Sequence, residues 1–91
     1  MSYAVIWVDS ANEQLAAAYL AARRNGEAAA ATTLVDWLDR RLRVAPSTVG
    51  ESRTGHVRFF TVRPLTVTFE VHEDERVVVV LTVQYVRSFR H

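Results

Sequence analysis

The sequence predicts an α+β fold of β-α-α-β-β-β order, a helical hairpin packed on a small, mostly antiparallel sheet. Three observations predict it. Residues 57–87 read as three consecutive strands joined by short turns; residues 10–43 carry apolar positions at three-four spacing in two segments separated by Asn25-Gly26; and a short apolar segment at 3–8 precedes them. Runs of helix and runs of strand are therefore segregated along the chain, which points to α+β and away from alternating β-α-β units.

The second half is the better specified. A first strand at 57–63 ends in a turn at Pro64, a second covers 65–71, a turn follows over His72-Glu73-Asp74-Glu75, and a third strand fills 76–86. In the second, Leu65, Val67, Phe69 and Val71 alternate with Thr66, Thr68 and Glu70, so one face meets a core and the other meets solvent. The third contains Val77-Val78-Val79-Val80-Leu81, a continuous run that suits a strand covered on both faces, and it reads as the central strand.

Residues 3–8 form a short apolar strand of mixed pattern, placed at or near the rim of the sheet. Ser10-Ala11-Asn12-Glu13 has the form of a capping box, so a helix is expected to start there. Leu15, Ala18, Tyr19 and Ala22 supply its apolar stripe, and Asn25-Gly26 supplies a left-handed terminus after Arg24. A second helix is expected over 27–43. Its acidic Glu27 lies at the positive end of the dipole and Arg40, Arg41 and Arg43 at the negative end. Leu34, Trp37, Leu38 and Leu42 read as its buried face, Trp37 falling in register with the leucines. Pro46 closes the helical region, and 47–55 is polar, contains two glycines and has no period, so it reads as a loop.

With 91 residues the chain is expected to form one domain, 1–91, with a single modest core. A composition 49% hydrophobic and 23% charged is that of an ordinary globular protein. There is no cysteine, which excludes disulfides and thiolate chemistry, and histidines at 56, 72 and 91 offer no ligand spacing, so neither metal nor cofactor is expected. No basic leader and no apolar run of membrane length is present, and the expected location is the cytoplasm. All eleven basic residues are arginine, and from Arg40 to Arg63 six arginines face one acid, Glu51. Arginine pairs bidentately with phosphate or carboxylate, although a GC-rich genome would produce the same bias.

This order of elements resembles the RelE/ParE family of toxins from bacterial toxin–antitoxin pairs. The resemblance runs over nearly the whole chain: the opening strand to Ser10, a first helix with Leu15 and Tyr19, a second leading to Pro46, and then Val57-Arg58-Phe59-Phe60-Thr61-Val62-Arg63-Pro64, the strand 65–71, the acidic turn, and the valine-rich strand followed by Arg87. Family members of the RelE kind are ribosome-dependent endoribonucleases whose cations, on the open face of the sheet, stabilise the charge that builds on a phosphate during attack by a 2′-hydroxyl. The resemblance puts one such arginine at Thr66 and another basic residue at Thr61. Arg87 alone matches a catalytic arginine of the family, with Arg58 and Arg63 as nonmatching cations nearby. These departures weigh against ribonuclease chemistry and toward ParE-like relatives, which act on DNA gyrase.

The resemblance thus implies a toxin neutralised by a cognate antitoxin, an acidic, partly disordered chain. It would act by binding a protein target, with gyrase or the ribosome as the possible targets. Two alternatives stay open: a ribosome-dependent mRNA endoribonuclease, or a non-toxic interaction or nucleic-acid-binding domain of the same fold. Arg87 is the candidate catalytic cation and Tyr85 a candidate acid, base or stacking group, against the plainer reading of Tyr85 as a half-buried packing residue. Arg58, Arg63, Thr61, Thr66 and Arg87 are the candidate contacts to target or antitoxin. In a regular strand Arg58 and Arg63 are read as pointing away from Thr61, unless Pro64 marks a bulge. His56 as a general base lacks an identifiable partner in the sequence, and the oligomeric state is open.

Overall fold

A computed structural model of the chain describes residues 2–87. Strand β1 (Ala4–Trp7) is followed by helix α1 (Asp9–Arg24), helix α2 (Ala28–Val44), a 3-10 turn (Pro46–Thr48), strand β2 (Glu51–Ser52) and the meander β3 (Val57–Val62), β4 (Leu65–His72) and β5 (Val77–Tyr85). The sheet order is β1-β5-β4-β3-β2. β1 runs parallel to β5 and every other pair is antiparallel, so the expected α+β architecture holds.

β4 shows the expected alternation: Leu65, Val67, Phe69 and Val71 are buried, and the residues between them are partly exposed. They form the core with Phe60 of β3, Val78, Val80 and Val83 of β5, Ala11 and Ala18 of α1, and Leu38 and Leu42 of α2. Both helices cover this one face. The middle strand of the five is β4, not β5, which lies between β4 and β1. The valine run of β5 is explained differently from the expected two-sided cover. Phe69 pairs with Val80 but Thr68 pairs with Thr82, so Leu81 is an extra residue. This bulge switches the parity of the strand, bringing Val78 and Val80 before it, and Val83 and Tyr85 after it, to the same side.

α1 begins one residue before the expected capping box. Val8 occupies the cap, its N–H still bonded to Val80 O (3.3 Å) while its own carbonyl accepts from Asn12 N (3.0 Å), so the chain turns from strand to helix through this single residue. Ser10 therefore lies inside the helix, and no side chain caps it. The other end is as expected: Gly26 has φ +71°. β1 ends opposite Val80, which leaves the adjoining edge of β5 without a strand. Gln14 of α1 fills the place, its Oε1 accepting from Val83 N at 2.7 Å.

Two further expectations fail. Trp37 is 43% exposed; α2 turns Ala31, Leu38 and Leu42 inward, and Trp37 lies at the margin of that arc, its ring stacked on Phe60 at 5.9 Å. The polar stretch 47–55 is not simply a loop, because Glu51 and Ser52 pair with Phe59 and Arg58. Gly50 makes this possible. Its φ is +67°, and a Cβ there would collide with the Phe59 carbonyl oxygen. Among the described residues no helix is long and apolar enough to cross a membrane.

Candidate functional site

Opposite the helices no element of the described residues covers the sheet, and register places its residues in rows. Thr61 of β3 pairs with Thr66 of β4, which pairs with Gln84 of β5; in the next row Phe59 pairs with Thr68 and Thr68 with Thr82. Thr61 Oγ1 and Thr66 Oγ1 lie 3.5 Å apart. The expected open-face threonines are thus brought together, and a ladder of neutral hydroxyls and one amide occupies the middle of the face. Neutral hydroxyls donate and accept single hydrogen bonds but bring no net charge to a phosphate.

Cations gather at the ends of this ladder. Beyond Thr61, in the turn between β3 and β4, Arg63 Nη1 donates to Arg87 O at 2.9 Å, and Val86 N donates to Pro64 O at 2.7 Å. These two bonds pin the end of β5 to the β3–β4 turn and hold Arg63 beside Arg87, which is exposed. Toward the other end, the Arg53 guanidinium lies over the Phe59 ring, 4.9 Å from its centroid. Arg53 was not among the candidates. It reaches the face only because β2 pairs with β3, and a two-residue polar strand leaves no periodic trace in the sequence.

Arg58 is separated from the others. Its parity puts it on the helix side of the sheet, where Nε donates to Val49 O (2.9 Å) and Nη2 to Gly50 O (3.0 Å). The fork thereby satisfies two carbonyls at the bend into β2, a structural task suited to a planar guanidinium.

Tyr85 also faces the helices, opposite Leu65. Its hydroxyl donates to Glu27 Oε2 at 2.9 Å, and burial, followed by this bond and the charge of Glu27, raises the phenol above its ordinary value, with Arg87 and Asn25 pulling the other way. A phenol held protonated and already donating to a carboxylate fits a packing residue better than a base.

His56 lies at the opposite end of the meander, beside His72, with ring centroids 4.7 Å apart; His72 Nε2 is 3.0 Å from Glu70 Oε1. The two rings line a cleft of about 570 Å³ together with Ser47, whose hydroxyl donates to Glu73 at 2.8 Å. β4 separates this cleft from the Thr66 end of the face by six residues, roughly 20 Å at the rise of a strand. Histidine and the arginine pair therefore do not share a site. No group of three or more His, Cys, Asp or Glu among the described residues is arranged to hold a metal ion.

An α-helical hairpin on one face of a mixed five-stranded sheet is a fold that solved structures share. The chain superposes on one from "Chromosomal ParDE TA system from P. aeruginosa" with a TM-score of 0.67 and 21% identity, over 93% of this chain and 97% of that one. It superposes on a chain of the toxin–antitoxin complex RelBE2 from Mycobacterium tuberculosis with a TM-score of 0.69 and 16% identity, over 93% of this chain and 99% of the other. No family model matches the sequence, and no curated protein matches it. The likeness therefore lies in the fold, which is of the RelE/ParE type.

Proposed function

We propose that this chain is the toxin of a type II toxin–antitoxin pair and that it acts by binding a protein target. The observation that carries the second clause is the Thr61–Thr66–Gln84 row. A ribonuclease of this fold needs fixed cations where the phosphate charge develops, and hydroxyls stabilise that charge far less. Arg87, next to Arg63 at the border of the face, is then a contact to the target or to the antitoxin. Gyrase is the first target to test and the cytoplasm the expected compartment. The antitoxin is an acidic, partly disordered chain whose negative charge suits the arginines at both ends of the ladder. Similarity in fold to chains of both a ParDE and a RelBE2 system supports the first clause.

The test is induced expression in a bacterial host while growth, protein synthesis and DNA synthesis are followed. Growth arrest with DNA damage supports a gyrase-type target. Arrest with an early fall in protein synthesis supports the ribosome-directed nuclease, with Arg87 and Arg63 as its cations. Normal growth with soluble, folded protein removes the toxin reading.

A further inference from the structure

The sequence spaces its histidines without a ligand pattern, yet the sheet brings two of them together. Val71 N donates to His56 O at 3.0 Å and Val57 N donates to Thr54 O at 3.0 Å, so the turn before β3 is fixed against the end of β4. There the imidazoles of His56 and His72 lie with ring centroids 4.7 Å apart and planes inclined by 38°. Metal–nitrogen bonds of about 2.0–2.1 Å, with each ring centre about 1.1 Å behind its nitrogen, put two imidazoles at adjacent positions of one ion with centroids roughly 4.4–5.2 Å apart. The observed separation falls inside that interval.

His72 is also prepared for the lone pair it would have to give. Its Nε2 lies 3.0 Å from Glu70 Oε1, and a carboxylate only accepts, so in the neutral ring the proton sits on Nε2 and the lone pair is left on Nδ1. A carboxylate behind the imidazole, fixing its tautomer and raising its basicity, is the common outer partner of a metal-bound histidine. Glu70 and His72 are two residues apart on β4, so the pleat itself keeps them on one face. His56 is exposed, and rotation about its Cβ–Cγ bond, a soft torsion, aligns its nitrogen with little cost.

The surroundings favour a cation. Glu73, Asp74 and Glu75 line the same cleft, against the guanidinium of Arg58, which is already engaged by the carbonyls of Val49 and Gly50. Among the described residues no third donor completes a set, so an ion held by the two rings keeps positions open to water or to a donor from another molecule.

We infer that His56 and His72 form a two-imidazole site for a divalent transition ion, His72 binding through Nδ1 with Glu70 as the positioning residue behind it. Imidazole suits Cu²⁺, Ni²⁺ and Zn²⁺ rather than Mg²⁺ or Ca²⁺, and Cu²⁺ is bound most tightly of the three. The ion joins the turn at 54–56 to the end of β4, so its binding stabilises the folded chain by mass action.

The tag-free full chain is titrated with ZnCl₂ and with CuCl₂ by calorimetry, and its ring nitrogens are followed by NMR. One ion per chain is expected, with broadening by Cu²⁺ centred on the His56 and His72 rings. His56→Ala, His72→Ala and Glu70→Gln should each weaken binding by about tenfold or more, and Glu70→Gln should also shift His72 away from the Nε2–H tautomer in the ring-nitrogen spectrum. His91→Ala, outside the described residues, should bind within about twofold of the parent. Absence of binding below millimolar Zn²⁺ and Cu²⁺, or broadening centred away from these two rings, would overturn the site. Glu70→Gln with unchanged affinity and an unchanged His72 tautomer would overturn the positioning role. The titration and the broadening use the unmodified chain, so a variant that fails to fold cannot decide the result.

Discussion

Tyr85 Oη donates to Glu27 Oε2 at 2.9 Å across 58 residues of chain, joining the end of the last strand to the cap of the second helix. The bond holds the helical hairpin against the same end of the sheet at which Arg63 and Arg87 meet. Its dependence on pH has a definite sign. Burial and Glu27 raise the Tyr85 phenol above 10.0 in the folded chain, so its contribution is fully present below pH 10 and is lost as pH rises through the folded value. Tyr19 shifts in the same direction, chiefly through burial. Thermal melting followed from pH 9 to 12 should therefore show a decline beginning near pH 10, and Tyr85→Phe should remove one late step from the phenolate absorbance titration.

Arg58 should prove structural. Loss of its two bonds to Val49 O and Gly50 O is expected to cost about 1–2 kcal/mol in denaturant unfolding when Arg58 is replaced by Met. Lysine should recover less than half, since one ammonium does not reproduce the fork. Full stability of Arg58→Met would return the residue to the list of free surface cations.

Gly50→Ala should destabilise by about 2 kcal/mol or more, because alanine suffers at positive φ and its Cβ meets the Phe59 carbonyl. The loss should be accompanied by faster amide exchange in β2, which the same denaturation and exchange measurements would register.

Within the proposed function, Arg87→Ala should reduce growth arrest by about tenfold in viable counts, the size of one lost charged contact of roughly 1.4 kcal/mol. Arg24→Ala, at the end of α1 and away from the sheet face, should leave toxicity unchanged. Equal toxicity of the two variants at matched expression would remove Arg87 from the contact surface.

The meander was readable because a strand with one covered face must alternate, and 65–71 alternates without exception. The helix break was readable for a similar reason, Asn25-Gly26 being chemistry that a left-handed turn requires. Trp37 was not. Periodicity says which residues share a face of a helix but not how wide a strip the sheet will cover, and α2 sinks Leu38 and Leu42 while leaving Trp37 on the margin. The parity switch at Leu81 was hidden inside a run in which every residue is apolar. Ser10 was misread because the cap was decided by Val8, whose backbone is still held by β5. For the site, parity correctly separated Arg58 from Thr61 but failed for Arg63, which shares the parity of Thr61 and lies beyond β3, in the turn, beside Arg87. Arg53 escaped notice because only tertiary pairing brings it over Phe59.

The insertion of β5 between β1 and β4 has a consequence in time. Synthesis delivers β1 first and β5 last, so the first strand waits, unpaired, through the whole of the helical hairpin and most of the meander. Until residues 77–85 emerge, β1 has no strand to pair with, and the end of the open face at which Arg63 meets Arg87 does not exist. Closure of the sheet thus waits for a contact between opposite ends of the chain, Ala4 with Val77, and contacts so distant in sequence form slowly.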